Sequence, residues 1–268
     1  MHATLHSDQF PMRKRIHAFW CTIPSRPNFG DGLTPWLIRR LTGQHPFFVR
    51  PEDPRHKYLV TGSIVSFARE NCSVWGCGIL SRNDSISPLA KLLGVRGPLT
   101  RARAIECGAE CPEVYGDPAL LLPRLYTPRP SDRRFICGLI PHFSDMPRLS
   151  DACKSSSALR LIDIQDPIEE VIDQIVSCEF VASSSLHGII ASHAFGIPAV
   201  WVKFRDLPSG DDSKFHDYFQ SIGQTPTGPI WLKDSHIDPD FLAQWVTPAT
   251  VNLDLEPLWQ ACPFRGAA

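Results

Sequence analysis

Four short segments of this chain gather side chains that hold or move charge. The first is Ser183-Ser184-Ser185-Leu186-His187-Gly188, where a strand pattern gives way to a helix pattern. His187 falls in the first helical turn, among free N–H groups and the positive end of the helix dipole, which attract an anion. Ser184 or Ser185 can cap that helix, and Gly188 leaves room for a ligand. On residue types alone, an anion site and a plain serine cap beside a backbone-bonded histidine are equally good readings. The second is Val95-Arg96-Gly97-Pro98, in which Arg96 ends a strand and can grip carboxylate or phosphate through its planar fork. Arg101 and Arg103, on the helix that follows, read as solvated surface.

The third segment, Asn28-Phe29-Gly30-Asp31-Gly32, is neither a Walker loop nor a G-x-G-x-x-G turn. Asp31 is either a helix cap or a general base. The fourth is residues 211–219, where Lys214 can face an anion among aromatic neighbours; Lys203, at the end of a strand, is a weaker cation. His142, after Pro141, and Asp117, between Gly116 and Pro118, are lesser candidates. Asp117 followed by Pro118 also reads as a cap and first helical residue.

The elements that must position these residues alternate between apolar strand patterns and helix patterns, the signature of α/β layers with a mostly parallel sheet. Strands are expected over 16–21, 57–61, 73–76, 92–96 and 114–115, with Thr34-Pro35 opening a helix that Gly43 stops. Residues 123–134, rich in Pro and Arg, read as a linker. A second set follows: strands over 135–140, 159–164, 180–182 and 199–203, and a helix with apolar positions 168, 171, 172, 175 and 176. The division expected is 1–128, an N-terminal α/β domain, and 129–268, a C-terminal one. The tail, 239–262, reads as helical, broken by Pro248 and Pro257, and able to pack back on the first half. Many strands end in glycine-containing loops, and ligands of open α/β sheets bind at the carboxyl ends of strands.

Composition excludes several classes. The 27 basic and 28 acidic residues leave a net charge of −1, with no electrostatic footprint for nucleic acid. The nine cysteines form no C-x-x-C pair, so they read as reduced buried thiols and neither a disulfide framework nor a zinc ribbon. No metal cluster is visible, so metal-independent chemistry is expected. Residues 181–202 carry no Asp, Glu, Lys or Arg, but four serines and a Gly-Ile-Pro break make them a buried strand–helix–strand, not a membrane span. Arg13-Lys14-Arg15 is not followed by a signal-peptide core; it could touch anionic lipid, but three charges are few and it reads first as a solvated basic end.

Taken in order, these segments resemble the polysaccharide pyruvyl transferase family. The matching stretches are Asn28 to Asp31, Thr61-Gly62-Ser63, Val74 to Gly78, Val95 to Pro98, Val114 to Pro118, Pro141-His142, Ser183 to Gly188, Ala194 to Pro198 and Lys214-Phe215. They look most like the short bacterial members that decorate exopolysaccharides such as xanthan and succinoglycan. The resemblance implies two Rossmann-like domains facing a cleft, a GT-B-like architecture. It implies transfer of the pyruvyl group from phosphoenolpyruvate to a terminal sugar of a repeat unit, forming a pyruvate ketal and releasing phosphate. No cofactor is implied; phosphoenolpyruvate is a co-substrate. The acceptor implied is a lipid-linked oligosaccharide, and the location is cytoplasmic, with a peripheral contact at the cytoplasmic face of the inner membrane.

By residue match, Arg96, Ser185, His187, Gly188 and Lys214 are expected around the donor. Asn28, Gly30, Asp31 and Ser63 are expected near the acceptor. His187 is the expected general acid and Asp31 the expected base. Two other readings compete: a nucleotide-sugar glycosyltransferase of GT-B type in polysaccharide assembly, and a non-catalytic sugar-binding module.

Overall fold

In a computed structural model, the structure describes residues 15–22, 28–130, 135–149, 156–206, 210–226, 228–233 and 237–265. Arg13-Lys14, Cys153, part of the loop before Asn28 and residues 131–134 of the expected linker lie outside the described residues.

Two five-stranded sheets, every ladder parallel, make the protein an α/β fold consistent with two Rossmann-like domains in a GT-B-like arrangement. The first sheet has the order β2-β1-β3-β4-β5, from β1 (His17–Ala18), β2 (Phe47–Phe48), β3 (Lys57–Leu59), β4 (Cys72–Trp75) and β5 (Lys91–Gly94). Val95 extends its edge through a parallel bridge to Tyr115. The second has the order β10-β9-β8-β6-β7, from β6 (Phe135–Ile140), β7 (Leu159–Leu161), β8 (Cys178–Ser183), β9 (Ala199–Lys203) and β10 (Ile230–Trp231). Strand order reverses between β1 and β3 in one sheet and between β6 and β8 in the other. Both reversals create the crevice in which α/β sheets bind ligands.

Helix α1 (Phe29–Thr42) starts earlier than Thr34-Pro35 suggests. Asn28 is the cap: its Oδ1 accepts the Asp31 N–H at 3.1 Å, and Pro35 lies inside the helix. Thr34 is buried instead, its hydroxyl 2.9 Å from that of Thr61. Gly43 stops the helix with φ 70°, a conformation that costs glycine little. Helix α2 (Pro98–Glu106) begins with Pro98 behind Gly97. Helix α3 (Ile168–Val176) buries Val171, Ile172 and Ile175 along one stripe. Helix α4 (Leu186–Ala194) follows β8, and α5 (Ser213–Ser221) follows β9.

One apolar cluster joins the two halves: Leu120, Leu121 and Leu122 of the 3₁₀ segment Pro118–Arg124 pack with Ile189 and Ile190 of α4. Glu169 of α3 accepts from Trp36 Nε1 at 2.7 Å and from Arg40 at 2.9 Å, both on α1. In the tail, α6 (Pro239–Ala243) and α7 (Glu256–Gln260) are short, and Pro257 starts α7 where the sequence pattern suggested a break. The tail lies on the first sheet, with Trp75 Nε1 donating to the Leu258 carbonyl at 2.8 Å and Phe264 edge-on to Tyr58 at 4.8 Å.

Candidate active site

The site forms where the carboxyl ends of both sheets meet. From the first half, Asn28 does two jobs. It caps α1, and its Nδ2 donates to Asp31 Oδ2 at 2.7 Å. Burial pushes the Asp31 carboxyl up to about 6, against the opposing pull of His187, the Asn28 amide and Lys214. A carboxylate poised there is ionised at neutral pH yet basic enough to take a proton. The Asp31 loop leans on Thr61, whose hydroxyl donates to the Gly30 carbonyl at 3.0 Å.

From the second half comes His187, in the first turn of α4. A Cβ on Gly30 would collide with its imidazole, so that glycine exists to let the ring lie against the α1 backbone. His187 Nε2 points at Asp117 Oδ2, 3.3 Å away, and neither atom has a hydrogen bond. Asp117 Oδ1 accepts the Ala119 N–H at 3.0 Å and caps the 3₁₀ segment, as the Asp-Pro pair suggested.

At the second sheet's reversal point, the His142 N–H donates to Ser184 Oγ at 2.8 Å, tying the loop after β6 to the end of β8. Ser183 is structural: its hydroxyl donates to the Ile140 and Ser185 carbonyls. Gly188 serves that packing. A Cβ there would strike Ser183 Oγ, so its smallness admits a strand side chain, not a ligand. Ser185 is the N-cap residue of α4 with its hydroxyl uncommitted to capping.

Beside these residues opens a cavity of about 230 Å³, lined by His142, Ser184, Trp201, Arg205, Lys214 and Phe215 among others. Its cations are unequal. Lys203 pairs with Asp206 and Asp212, and Arg205 with Asp145. Lys214 has no ion pair among the described residues, and its ammonium sits 5.3 Å from the Phe215 ring centroid. Burial and the Arg96 charge push Lys214 down to about 8, although Asp212 and Asp31 hold it up. Burial and Lys214, with Arg205, push His142 down to about 4 against the pull of Asp145, so His142 is a neutral lining group at pH 7.

Arg96 is placed differently from a groove-lining clamp. It is fully buried, with Nε on Asp217 at 3.0 Å, Nη1 on Ser63 Oγ at 2.9 Å and Nη2 on the Ile79 carbonyl at 2.5 Å. Asp217 also accepts the Thr100 N–H at 2.9 Å and its hydroxyl at 2.6 Å. Gly78 and Gly97 make room for this knot: a Cβ on the first would meet the Arg96 guanidinium, on the second Asp217. Asp217 escapes a reading of the sequence because its partner is 121 residues away; its one signal is the i, i+3 spacing from Lys214 on α5. The structure thus brings together Asn28, Gly30, Asp31, Asp117, His187 and Lys214, with Ser63 held by Arg96 and His142 lining the cavity; Ser185 does not line it but follows Ser184, which does.

The profile described as polysaccharide pyruvyl transferase matches residues 28–204, two thirds of the chain. The chain is 30% identical over 207 residues to uncharacterized protein L143 of Acanthamoeba polyphaga mimivirus, covering 73% of this chain and 71% of that protein. It is 29% identical over 207 residues to the succinoglycan biosynthesis protein ExoV of Rhizobium meliloti (strain 1021), covering 74% of this chain and 62% of that one.

Proposed function

We propose, from the premise that this chain belongs to the polysaccharide pyruvyl transferase family, an enzyme family, that it moves the pyruvyl group of phosphoenolpyruvate onto two hydroxyls of a terminal sugar. The observation that carries the reading is the convergence of Asp31, His187 and Lys214, from both halves, with Lys214, which has no ion pair among the described residues, lining a small cavity. A volume of about 230 Å³ suits a three-carbon phosphorylated acid. It falls below the roughly 300–1,000 Å³ of pockets for drug-sized ligands, which a nucleotide sugar would need.

In this reading Lys214, Ser185 and the first-turn N–H groups of α4 hold the donor's phosphate and carboxylate. Arg96 adds charge from below and presents Ser63. His187 gives a proton to the methylene carbon, which becomes the methyl group, and C2 becomes cationic. Asp31 takes the proton of the first sugar hydroxyl as its oxygen bonds to C2. The C2–O bond to phosphate then breaks, the second hydroxyl adds, and its proton balances the leaving phosphate. Each placed proton transfer is worth roughly 10²–10⁴-fold.

We place the acceptor, a lipid-linked oligosaccharide, at the Asp31 end. Phe47, Phe48 and Phe67 are exposed on the first half, Trp20 packs edge-on to Phe48, and the Arg15 guanidinium lies 5.3 Å from the Phe47 ring centroid. Arg13 and Lys14 precede this patch in sequence. Aromatic rings rimmed by cations suit a peripheral contact with an anionic inner-membrane surface. Among the described residues no helix is long and apolar enough to cross a membrane.

The test is to supply phosphoenolpyruvate and a lipid-linked oligosaccharide and follow phosphate release together with a ketal-sized mass gain on the sugar. Wild type turns over, while His187→Ala and Lys214→Met do not. Nucleotide release from a sugar nucleotide, with no consumption of phosphoenolpyruvate, would overturn the reading.

A further inference from the structure

The mechanism above leaves two buried polar atoms unexplained. Asp117 Oδ2 and His187 Nε2 are both enclosed, both lack a hydrogen bond, and face each other at 3.3 Å. Burying either without a partner is unfavourable, more so for a charged group. Chance packing does not explain two such atoms in mutual reach. The segments carrying them are also the ones the fold presses together: the 3₁₀ segment capped by Asp117 packs against α4, which carries His187.

We infer that Asp117 is the positioning residue for His187: its carboxylate accepts the Nε2–H, which fixes the imidazole as the Nε2–H tautomer and leaves Nδ1 as the nitrogen that serves the reaction. Three observations on the ring agree. Nε2 is fully enclosed, whereas 11% of the side chain remains exposed, so what is open of the side chain is not Nε2. The Nδ1 edge lies against Gly30, one residue before Asp31. The His187 charge is felt at Asp31, so the ring and the expected base share one site. A carboxylate on the far nitrogen of a working imidazole sets its tautomer and orientation and stabilises the cation it becomes. In this protein the two partners come from different halves of the chain, so docking of the halves itself arms the histidine.

The inference rests on the pyruvyl-transfer reading for its kinetic arm but not for its spectroscopic arm. The test uses Asp117→Asn, which retains an Oδ1 acceptor for the Ala119 N–H and therefore the cap. In ¹⁵N-labelled wild-type protein, with His187 assigned through His187→Gln, the neutral ring is expected in the Nε2–H form. In Asp117→Asn that preference is lost. Steady-state kinetics of the same variant should show kcat lowered about 100-fold or more with the KM for phosphoenolpyruvate within about threefold, and Asp117→Glu should restore part of kcat. A wild-type ring in the Nδ1–H form, or a variant with unchanged tautomer and kcat, would overturn the inference. If wild type consumes no phosphoenolpyruvate but shows the Nε2–H ring and its loss in the variant, the pairing stands and the pyruvyl-transfer reading falls.

Discussion

Gly30 and Gly32 lie two residues apart in the first turns of α1, and the structure assigns them opposite fates on substitution. Neither has a positive φ, so alanine can adopt both backbones. Alanine for glycine in a helix gains roughly 0.5–1 kcal/mol. At Gly32 the new methyl would meet only Ile168 Cδ1 at 3.7 Å, an ordinary contact. Gly32→Ala should therefore raise stability by up to about 1 kcal/mol, with turnover unchanged. At Gly30 the methyl would occupy the space of the His187 imidazole, so the ring must move. Overpacking costs about 1–3 kcal/mol, so the net loss after the helix gain is between about 0 and 2.5 kcal/mol. The kinetic cost is larger. Shifting an acting group by about 1 Å costs on the order of 100-fold, so Gly30→Ala should be folded and nearly inactive. Urea unfolding gives the stabilities, and phosphate release from phosphoenolpyruvate gives the rates. Gly30→Ala turning over at the wild-type rate, while His187→Ala is inactive, would show that the ring is not held against α1 and refute the site geometry.

Further outcomes follow from the charged groups. Because burial raises Asp31 to about 6, the folded state binds its proton more tightly than the unfolded chain, and stability falls as pH rises from about 4 through 6. Asp31→Asn should raise the urea midpoint at pH 7.5, lose that advantage below pH 4, and abolish transfer. Wild-type activity should rise as Asp31 ionises near pH 6, and donor affinity should fall above about pH 8 as Lys214 loses its proton; kcat and donor KM measured between pH 5 and 9 check the first and second limb respectively. Asp217→Ala strands the buried Arg96 charge and should cost about 3–5 kcal/mol in urea unfolding. Phe48→Ser with Phe67→Ser should weaken sedimentation with phosphatidylserine vesicles and leave turnover on a water-soluble oligosaccharide acceptor unchanged.

Much of this was legible in the sequence, because parallel strands buried on both faces leave apolar runs and their glycine-bearing ends punctuate them. Cys72–Trp75, with every residue buried, is such a run. Edge strands β2 and β10 have two residues each, too few for any period to show. Thr34-Pro35 carries a cap-like pattern, but the cap goes to whichever side chain reaches a free N–H, and Asn28 does. The glycines of the motifs were visible as small residues, but not what fills the space above them. Gly78, Gly97 and Gly188 face Arg96, Asp217 and Ser183, side chains of the protein itself. Arg96 announced a charge at a strand end; that the charge is spent on Asp217 depends on a contact across 121 residues, which no local pattern encodes.

That commitment of Arg96 leaves Lys214 as the cation proposed to hold the donor. A buried ion pair is tolerable only when its remaining hydrogen-bonding capacity is met, and here it is: Asp217 accepts from Arg96 and twice from Thr100, while Arg96 also serves Ser63 and Ile79. Asp217 lies three residues after Lys214, on one face of α5. The knot therefore fixes the helix that aims Lys214, and the Arg96 charge helps make that ammonium easier to deprotonate. Asp117 and His187 make a second link between the halves, and the leucines of Pro118–Arg124 against α4 make a third. Swinging the halves apart would break all three at once and dismantle the site it was meant to open. Substrates are better admitted through the loops at the cavity mouth, with the two sheets held as a fixed frame that keeps Asp31, His187 and Lys214 in register.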